Sequence, residues 1–498
     1  MCDARQQERR FLRGLLILAV LVAAWVNPGN LGNVDAARRL RMAHVWWAGG
    51  QEVLPSEAGI YGTMGRDGVR RGNFGVGHSL ILLPADLLVS PLVARLRLPD
   101  SAREAAVAFL SQSIQACLLL AGAYRLLRRL DFDPVSSACG ALSLLWLTTA
   151  LHYIQNAQEN LLMAGLAMWG TSLVLQGRDE RRAWILAAGG GVFGASLLVR
   201  LTTLADAAAA ALLLILLDRR RAAKPLLYFG AGYAVMALME RVIQYVRFGN
   251  WTRTYYSGIM EATNPASGAP AVFSYPFLNG VYRALLHPGD SVFLYDPLLT
   301  WTLILLAVFW RRIPPAIRSY SLGAAASLAV YVLFYATYQS PTGEASWGDR
   351  YVTTPVLLLA ILAIPLTLKW MGRIPVWGWV VIGGSLAIQL ASLTLVVGLE
   401  WMQSFHINMP VSIALRFANI YMVWTGEARD SAAFFLMPAE WRTWNFLPFQ
   451  MMFRYPELGR WALWGWWGLA VACAGQTVAV VRRIGELAAL RSRQTVIG

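Results

Sequence analysis

Charge is scarce in this chain. Only 14% of its 498 residues are Asp, Glu, Lys or Arg while 57% are hydrophobic, a balance that excludes a soluble globular protein. Cysteine is scarce as well. Cys2, Cys117, Cys139 and Cys473 are scattered, two of them inside apolar runs, so neither a disulfide framework nor a cysteine metal site follows. The five histidines have no close spacing, and no zinc site is expected from them. The chain lacks coiled-coil heptads, low-complexity tracts and a separate soluble domain. It shows no internal repeat either, which weighs against a transporter built from inverted repeats.

What is present is a long series of apolar runs, with 21 Trp suited to interfacial belts. The pattern predicts an all-α polytopic membrane protein. A net charge of +15 could point to nucleic acid, but the basic residues cluster at the ends of apolar runs, which is a topology signal. No nucleic-acid partner is expected. The N-terminal RQQERRFLRG precedes an apolar run without a small-residue cleavage site before Asn27, and reads as a retained signal anchor.

Twelve spans are expected, roughly at 11–26, 104–124, 135–152, 160–176, 183–199, 202–217, 225–243, 297–311, 320–338, 352–369, 375–398 and 461–481. The loops 125–131, 178–182, 218–224, 311–318 and 369–373 and both tails hold more than half of the 43 lysines and arginines. All seven fall on one side only if the apolar segment 79–96 does not cross. Pro84, Asp86 and Pro91 within it favour an interfacial or re-entrant piece over a smooth helix. Thirteen spans with an exception to the charge rule is the alternative. In the twelve-span reading both termini are cytoplasmic, and the long loops 27–103, 247–296 and 399–460 share the outer side. The chain then forms one membrane domain: a catalytic module at 1–243 and C-terminal helices at 244–498.

The stretch 27–84 is the most informative. Asp35 opens a short helix whose apolar side (Leu40, Val45, Trp46, Trp47) suits a membrane interface and whose basic side (Arg38, Arg39, Arg41) suits headgroups or phosphates. Three further ionisable residues stand at outer ends of spans. Glu159 follows His152, Asn156 and Gln158; Arg200 separates two spans in LLVRLTT; Arg350 lies in SPTGEASWGDRYVTTP with Glu344 and Asp349 beside it. Two acids and two guanidiniums on one face suit group transfer from a lipid phosphate. A base would take the acceptor proton, and arginines would steady the departing phosphate. Each residue also has a purely structural role open to it. An Asp at a helix start is commonly an N-cap, a Glu there favours the helix dipole, and an Arg at a membrane edge commonly snorkels. Asp86 and Asp206, in apolar segments, are expected to face the bundle, and the glycine run 189–191 to allow close helix packing.

Six stretches in order resemble the GT-C superfamily of integral-membrane glycosyltransferases that use polyprenyl-phosphate sugars, nearest its bacterial members related to protein O-mannosyltransferases and the lipid A aminoarabinose transferase. They are NLGNVDAARRLRMAHVWWAGG, YGTMGRDGVRRGNFGVGHSLILLP, HYIQNAQENLL, GASLLVRLTTL, YPFLNGVYRALLHPGDSVFLYDPLL and WGDRYVTTPVLLL. The resemblance implies a GT-C-like fold with interfacial or re-entrant helices in the first outer loop, in a bacterial inner membrane, with the active site periplasmic. It implies Asp35 as base and Glu159 as a second catalytic acid. Arg200 and Arg350 would bind the donor phosphate, with Arg38, Tyr61, His78, His152, Asn156 and Tyr351 lining the substrate. The implied activity is inverting transfer of a sugar from a polyprenyl-phosphate donor to an envelope glycan or lipid-linked acceptor, with the bilayer itself as a partner. Many relatives carry two acids in the first loop where this chain has Asp35 followed by Ala36, so no bridging metal is expected, and a divalent ion as cofactor stays open. A lipid-linked glycan flippase and an O-antigen-type polymerase are the competing functions.

Overall fold

The computed structural model describes residues 2–57, 61–262, 272–343, 346–429, 431–435 and 437–497. The protein is an all-α polytopic membrane protein. In chain order its main helices are α1 (Cys2–Val26), α2 (Val34–Ala48), α3 (Val76–Leu96), α4 (Asp100–Arg129), α5 (Pro134–Leu147), α6 (Ala150–Gln155), α7 (Asn160–Asp179), α8 (Ala183–Val199), α9 (Leu204–Leu217) and α10 (Ala223–Phe248). These are followed by α11 (Pro297–Phe309), α12 (Pro315–Tyr335), α13 (Thr353–Ala360), α14 (Ala363–Met371), α15 (Val376–Thr394) and α16 (Pro456–Ile497). Each of the twelve expected spans falls on one of these helices or on a consecutive pair. Seven helical segments are long and apolar enough to cross a membrane, and four more are shorter but apolar. Between α2 and α3 the chain forms a small antiparallel hairpin, β1 (Gly62–Met64) with β2 (Arg70–Gly72).

Hydrogen bonds set the level of each helix in the bundle. Asn27, just past α1, donates to the Ala105 carbonyl near the start of α4 (2.8 Å), while Tyr124 near the end of α4 donates to Glu8 near the start of α1 (3.0 Å). The two helices are therefore antiparallel along most of their length. Helix α8 packs on both α7 and α10. The glycine run permits this, because a Cβ at Gly190 would come within 1.9 Å of the Phe229 carbonyl oxygen. The faces turned away from the bundle carry bare apolar side chains such as Trp377, Trp461 and Trp464, which suits a lipid surround.

Two expectations about the first outer loop need correction. The segment 79–96 belongs to α3, one continuous helix with Pro84 and Pro91 inside it, and no break or re-entrant turn. By length and composition it could span. Its register shows that it does not run the depth of the bundle. His78 lies beside Gln115 of α4 (3.4 Å) and Asp86 is bonded to Arg103 (2.7 Å), so α3 lines only the N-terminal half of α4. Its N-terminal end stops fourteen residues, about 20 Å, short of Arg129. Helix α2, for its part, turns Leu40 and Arg39 inward, while Trp47 stays 40% exposed. Ala36, Leu40 and Ala43 are buried against Leu82, Ala85 and Val89 of α3, and Arg39 is only 4% exposed. Asp86 and Asp206 are buried and bonded within the bundle, as expected: Asp86 to Arg103, His44, Trp47 and Ser90, and Asp206 to Ser327 and Tyr331.

Candidate active site

The helix that carries Asp35 is capped by its neighbour. The Asn33 side chain accepts from the Asp35 amide (2.7 Å), which leaves the Asp35 carboxylate free of capping duty. That carboxylate is instead held at two points. One oxygen accepts from Arg38 one turn on (3.2 Å), and the other accepts from Arg350, 315 residues away (3.1 Å). Residues 35, 38 and 39 share one helix face, and Arg39 completes it by closing a two-point ion pair on Glu159, with both contacts at 3.0 Å. Arg200 binds the same Glu159 carboxylate. All four residues named by their position at helix ends thus meet in one polar cluster.

The aromatic residues order the cations. The Tyr351 ring has the guanidiniums of both Arg200 and Arg350 over it, at 5.2 and 5.3 Å from its centroid. Tyr61 lies under Arg38 at 3.4 Å, and Arg38 is tied to Glu57 (2.9 Å). Arg350 is positioned from its backbone. Asp349 accepts from the Tyr351 amide (2.9 Å), and Asn160 donates to the Arg350 carbonyl (2.6 Å). Four arginines (38, 39, 200, 350) face three carboxylates (35, 57, 159), so the cluster carries a surplus positive charge. Among the described residues, the buried donors Arg200 Nη1, Arg350 Nε and Arg39 Nε have no hydrogen-bond acceptor. Buried donors of this kind suit the oxygens of an anion.

The two acids are not equivalent. The Asp35 side chain is 22% exposed and Arg350 16%, while Glu159 is 2% exposed. Burial alone would raise the Asp35 carboxyl, but Arg350, then Arg39 and Arg38, hold it below its ordinary value. Burial likewise acts upward on Glu159, and Arg39 and Arg200 overcome it by a wide margin. Glu159 is therefore a fixed anion that anchors two guanidiniums. The Glu159 carboxylate is enclosed by these two guanidiniums, whereas the Asp35 carboxylate keeps part of its exposure. Asp35 is the reachable one.

Of the expected lining residues, Arg38, Tyr61 and Tyr351 are in the cluster. His78 is buried beside it, next to Gln115. His152 and Asn156 face each other (3.5 Å) on a neighbouring flank, with His152 near Trp347 and Asn156 against Gly32. Glu344 lies outside the described residues. Sequence reasoning missed the inward roles of Arg39 and Glu57 and the stacking partner Tyr335. The spacing 35, 38, 39 was the available signal for Arg39. Among the described residues no group of three or more His, Cys, Asp or Glu is placed to hold a metal ion.

No family model matches the chain, and no curated protein matches it. Solved structures of an archaeal oligosaccharyltransferase from Archaeoglobus fulgidus are similar to it. The complex with an inhibitory peptide and a dolichol-phosphate aligns at a TM-score of 0.45 and 12% identity, over 86% of this chain and 60% of that one. The apo form aligns at 0.45 and 13%, over the same shares, and a form with Zn and sulfate at 0.41 and 13%, over 85% and 57%. The chain spans about 60% of the length of the solved structures it matches.

Proposed function

We propose that this protein is a GT-C-type membrane glycosyltransferase that moves a sugar from a polyprenyl-phosphate donor to a glycan or lipid-linked acceptor, at the outer face of a bacterial cytoplasmic membrane. The observation that carries this reading is the Asp35–Arg350 contact at 3.1 Å, which sets a reachable carboxylate against a guanidinium with a donor to spare.

In this reading the donor phosphate binds between Arg350 and Arg200. Arg350 then shares its charge with the phosphate, its hold on Asp35 loosens, and the carboxylate becomes a better base. The acceptor hydroxyl oxygen attacks the anomeric carbon from the face opposite the phosphate. The bond from that carbon to the phosphate oxygen breaks with its electron pair going to the phosphate, and the acceptor proton passes to Asp35. Configuration at the sugar inverts. A phosphate is a good leaving group, so no strong general acid is required, and stabilisation of its charge is the larger demand. Glu159 keeps Arg39 and Arg200 aimed inward throughout.

The test is Asp35→Asn in proteoliposomes supplied with a polyprenyl-phosphate sugar and a lipid acceptor. Transfer should fall by roughly two orders of magnitude or more, with donor binding kept. Near-normal turnover removes Asp35 from the mechanism. Movement of the donor lipid between leaflets without a new glycosidic bond would favour a flippase, and a product lengthened by whole oligosaccharide units a polymerase.

A further inference from the structure

At the end of the bundle opposite Asp35, helices α1, α4 and α7 leave a cavity of about 530 Å³. Arg125, Arg128 and Arg129 give it a basic wall, and Leu12, Ala121 and Trp169 an apolar one. Arg125 is twenty residues along α4 from Ala105, about 30 Å away, which is the thickness of a hydrocarbon core. The cavity opens at the end of the bundle where α4 meets the first turns of α1 and where positively charged segments gather on this chain.

We propose that this cavity binds the phosphodiester headgroup of an anionic membrane lipid. Arg125 bonds the neutral oxygens of Ser172 (3.2 Å) and Gln176, so its charge is oriented without being spent on an ion pair. Its guanidinium lies over the Trp169 ring at 5.1 Å, and that ring is fixed by a bond from its nitrogen to the Leu118 carbonyl (2.8 Å). Glu8 is the one acid in the wall. It accepts from Tyr124 (3.0 Å) and meets Arg128 at 3.5 Å, while Arg129 pairs with Glu180 beyond the wall (3.4 Å), so Arg125 is the arginine of the three with no carboxylate on it. A fixed basic rim over an aromatic and aliphatic floor matches a lipid, whose phosphate stays at the rim while its first methylenes lie on the floor. A free phosphate ester would use the rim alone. The inference is independent of the chemistry at Asp35.

The experiment is native mass spectrometry of the full chain exchanged into mixed micelles of phosphatidylglycerol and phosphatidylcholine. Wild-type protein should retain one phosphatidylglycerol in preference to phosphatidylcholine. Arg125→Gln combined with Arg128→Gln should lower that retention by roughly tenfold or more. Ala121→Trp, which fills the floor and leaves every charge in place, should lower it too. Equal retention of the two lipids by wild-type protein overturns the proposal, as does unchanged retention in both variants. Displacement of the lipid by glycerol phosphate at millimolar concentration also overturns it, since that result assigns the rim to a soluble ester.

Discussion

The ring of Tyr351 lies flat on the ring of Tyr335, with centroids 4.0 Å apart and planes 7° from parallel. One face of Tyr351 is thereby covered by a residue at the end of α12, and the ring is held where both Arg200 and Arg350 lie over it. Tyr351→Phe keeps the stack and should leave donor KM within about twofold of wild type. Tyr351→Leu removes both the stack, worth about 1 kcal/mol, and the π face that the two cations share. Donor KM should rise roughly tenfold with a smaller change in kcat. Steady-state kinetics with varied donor separates the two variants, and equal behaviour would show that the ring orders nothing.

Glu159 is the residue whose loss should be felt in folding. It is buried with two guanidiniums on it, so Glu159→Gln leaves Arg39 and Arg200 charged, buried and unpaired. Breaking a buried pair in this way costs about 3–5 kcal/mol. Thermal unfolding in detergent should show a clear fall in Tm for Glu159→Gln and a much smaller one for Asp35→Asn, because Asp35 is partly solvated. If the order is reversed, Asp35 is the structural acid.

How much of this was legible beforehand follows from where the residues sit. Asp35, Glu159, Arg200 and Arg350 all stand near the ends of apolar runs, so a one-dimensional pattern could bring them to one face, and they do meet. Arg39 was misplaced for the opposite reason. Periodicity shows that residues 38, 39 and 41 lie near one another on a helix but not what is packed against each, and α3 covers what the pattern left open to lipid. Pro84 and Pro91 were over-weighted as breakers, since a helix inside a bundle or membrane tolerates them where neighbours take up the freed carbonyls. Tyr335 sits at the end of an apolar helix with nothing in its local sequence to mark it, and only tertiary packing reveals it.

The pH behaviour should come from Asp349 more than from Asp35. Asp35 is held below its ordinary value, so its stabilising contribution is present above the unfolded-state pKa and is lost only as pH falls through the lower folded value. No limb from Asp35 is expected near neutrality in the free protein. Asp349 is pushed up to about 8 by burial, with the Tyr351 amide opposing. The folded state keeps its proton where the unfolded chain has lost it. Stability should therefore decline as pH rises from the ordinary carboxylate range towards 8, and level off above it. Asp349→Asn keeps an acceptor for the Tyr351 amide and should flatten that decline. Tm measured across this range for both proteins decides the matter, and parallel slopes would clear Asp349.

The last prediction concerns Gly343, which lies against the side chain of Arg350. Its φ is +89°, a conformation that L residues rarely adopt, and a Cβ there would come within 2.4 Å of Arg350 Nε. Gly343→Ala therefore pushes directly on the guanidinium that binds Asp35, with an added backbone strain of about 1–2 kcal/mol. The Asp35 contact needs Nη1 while Nε is the donor left over for an anion, so a displaced Arg350 cannot serve both. Donor binding should weaken in Gly343→Ala towards the level of Arg350→Ala. The double variant should be no worse than Arg350→Ala alone, because both changes act on one group. Additive losses in the double variant would place the effect of Gly343 elsewhere in its loop and detach it from the phosphate site.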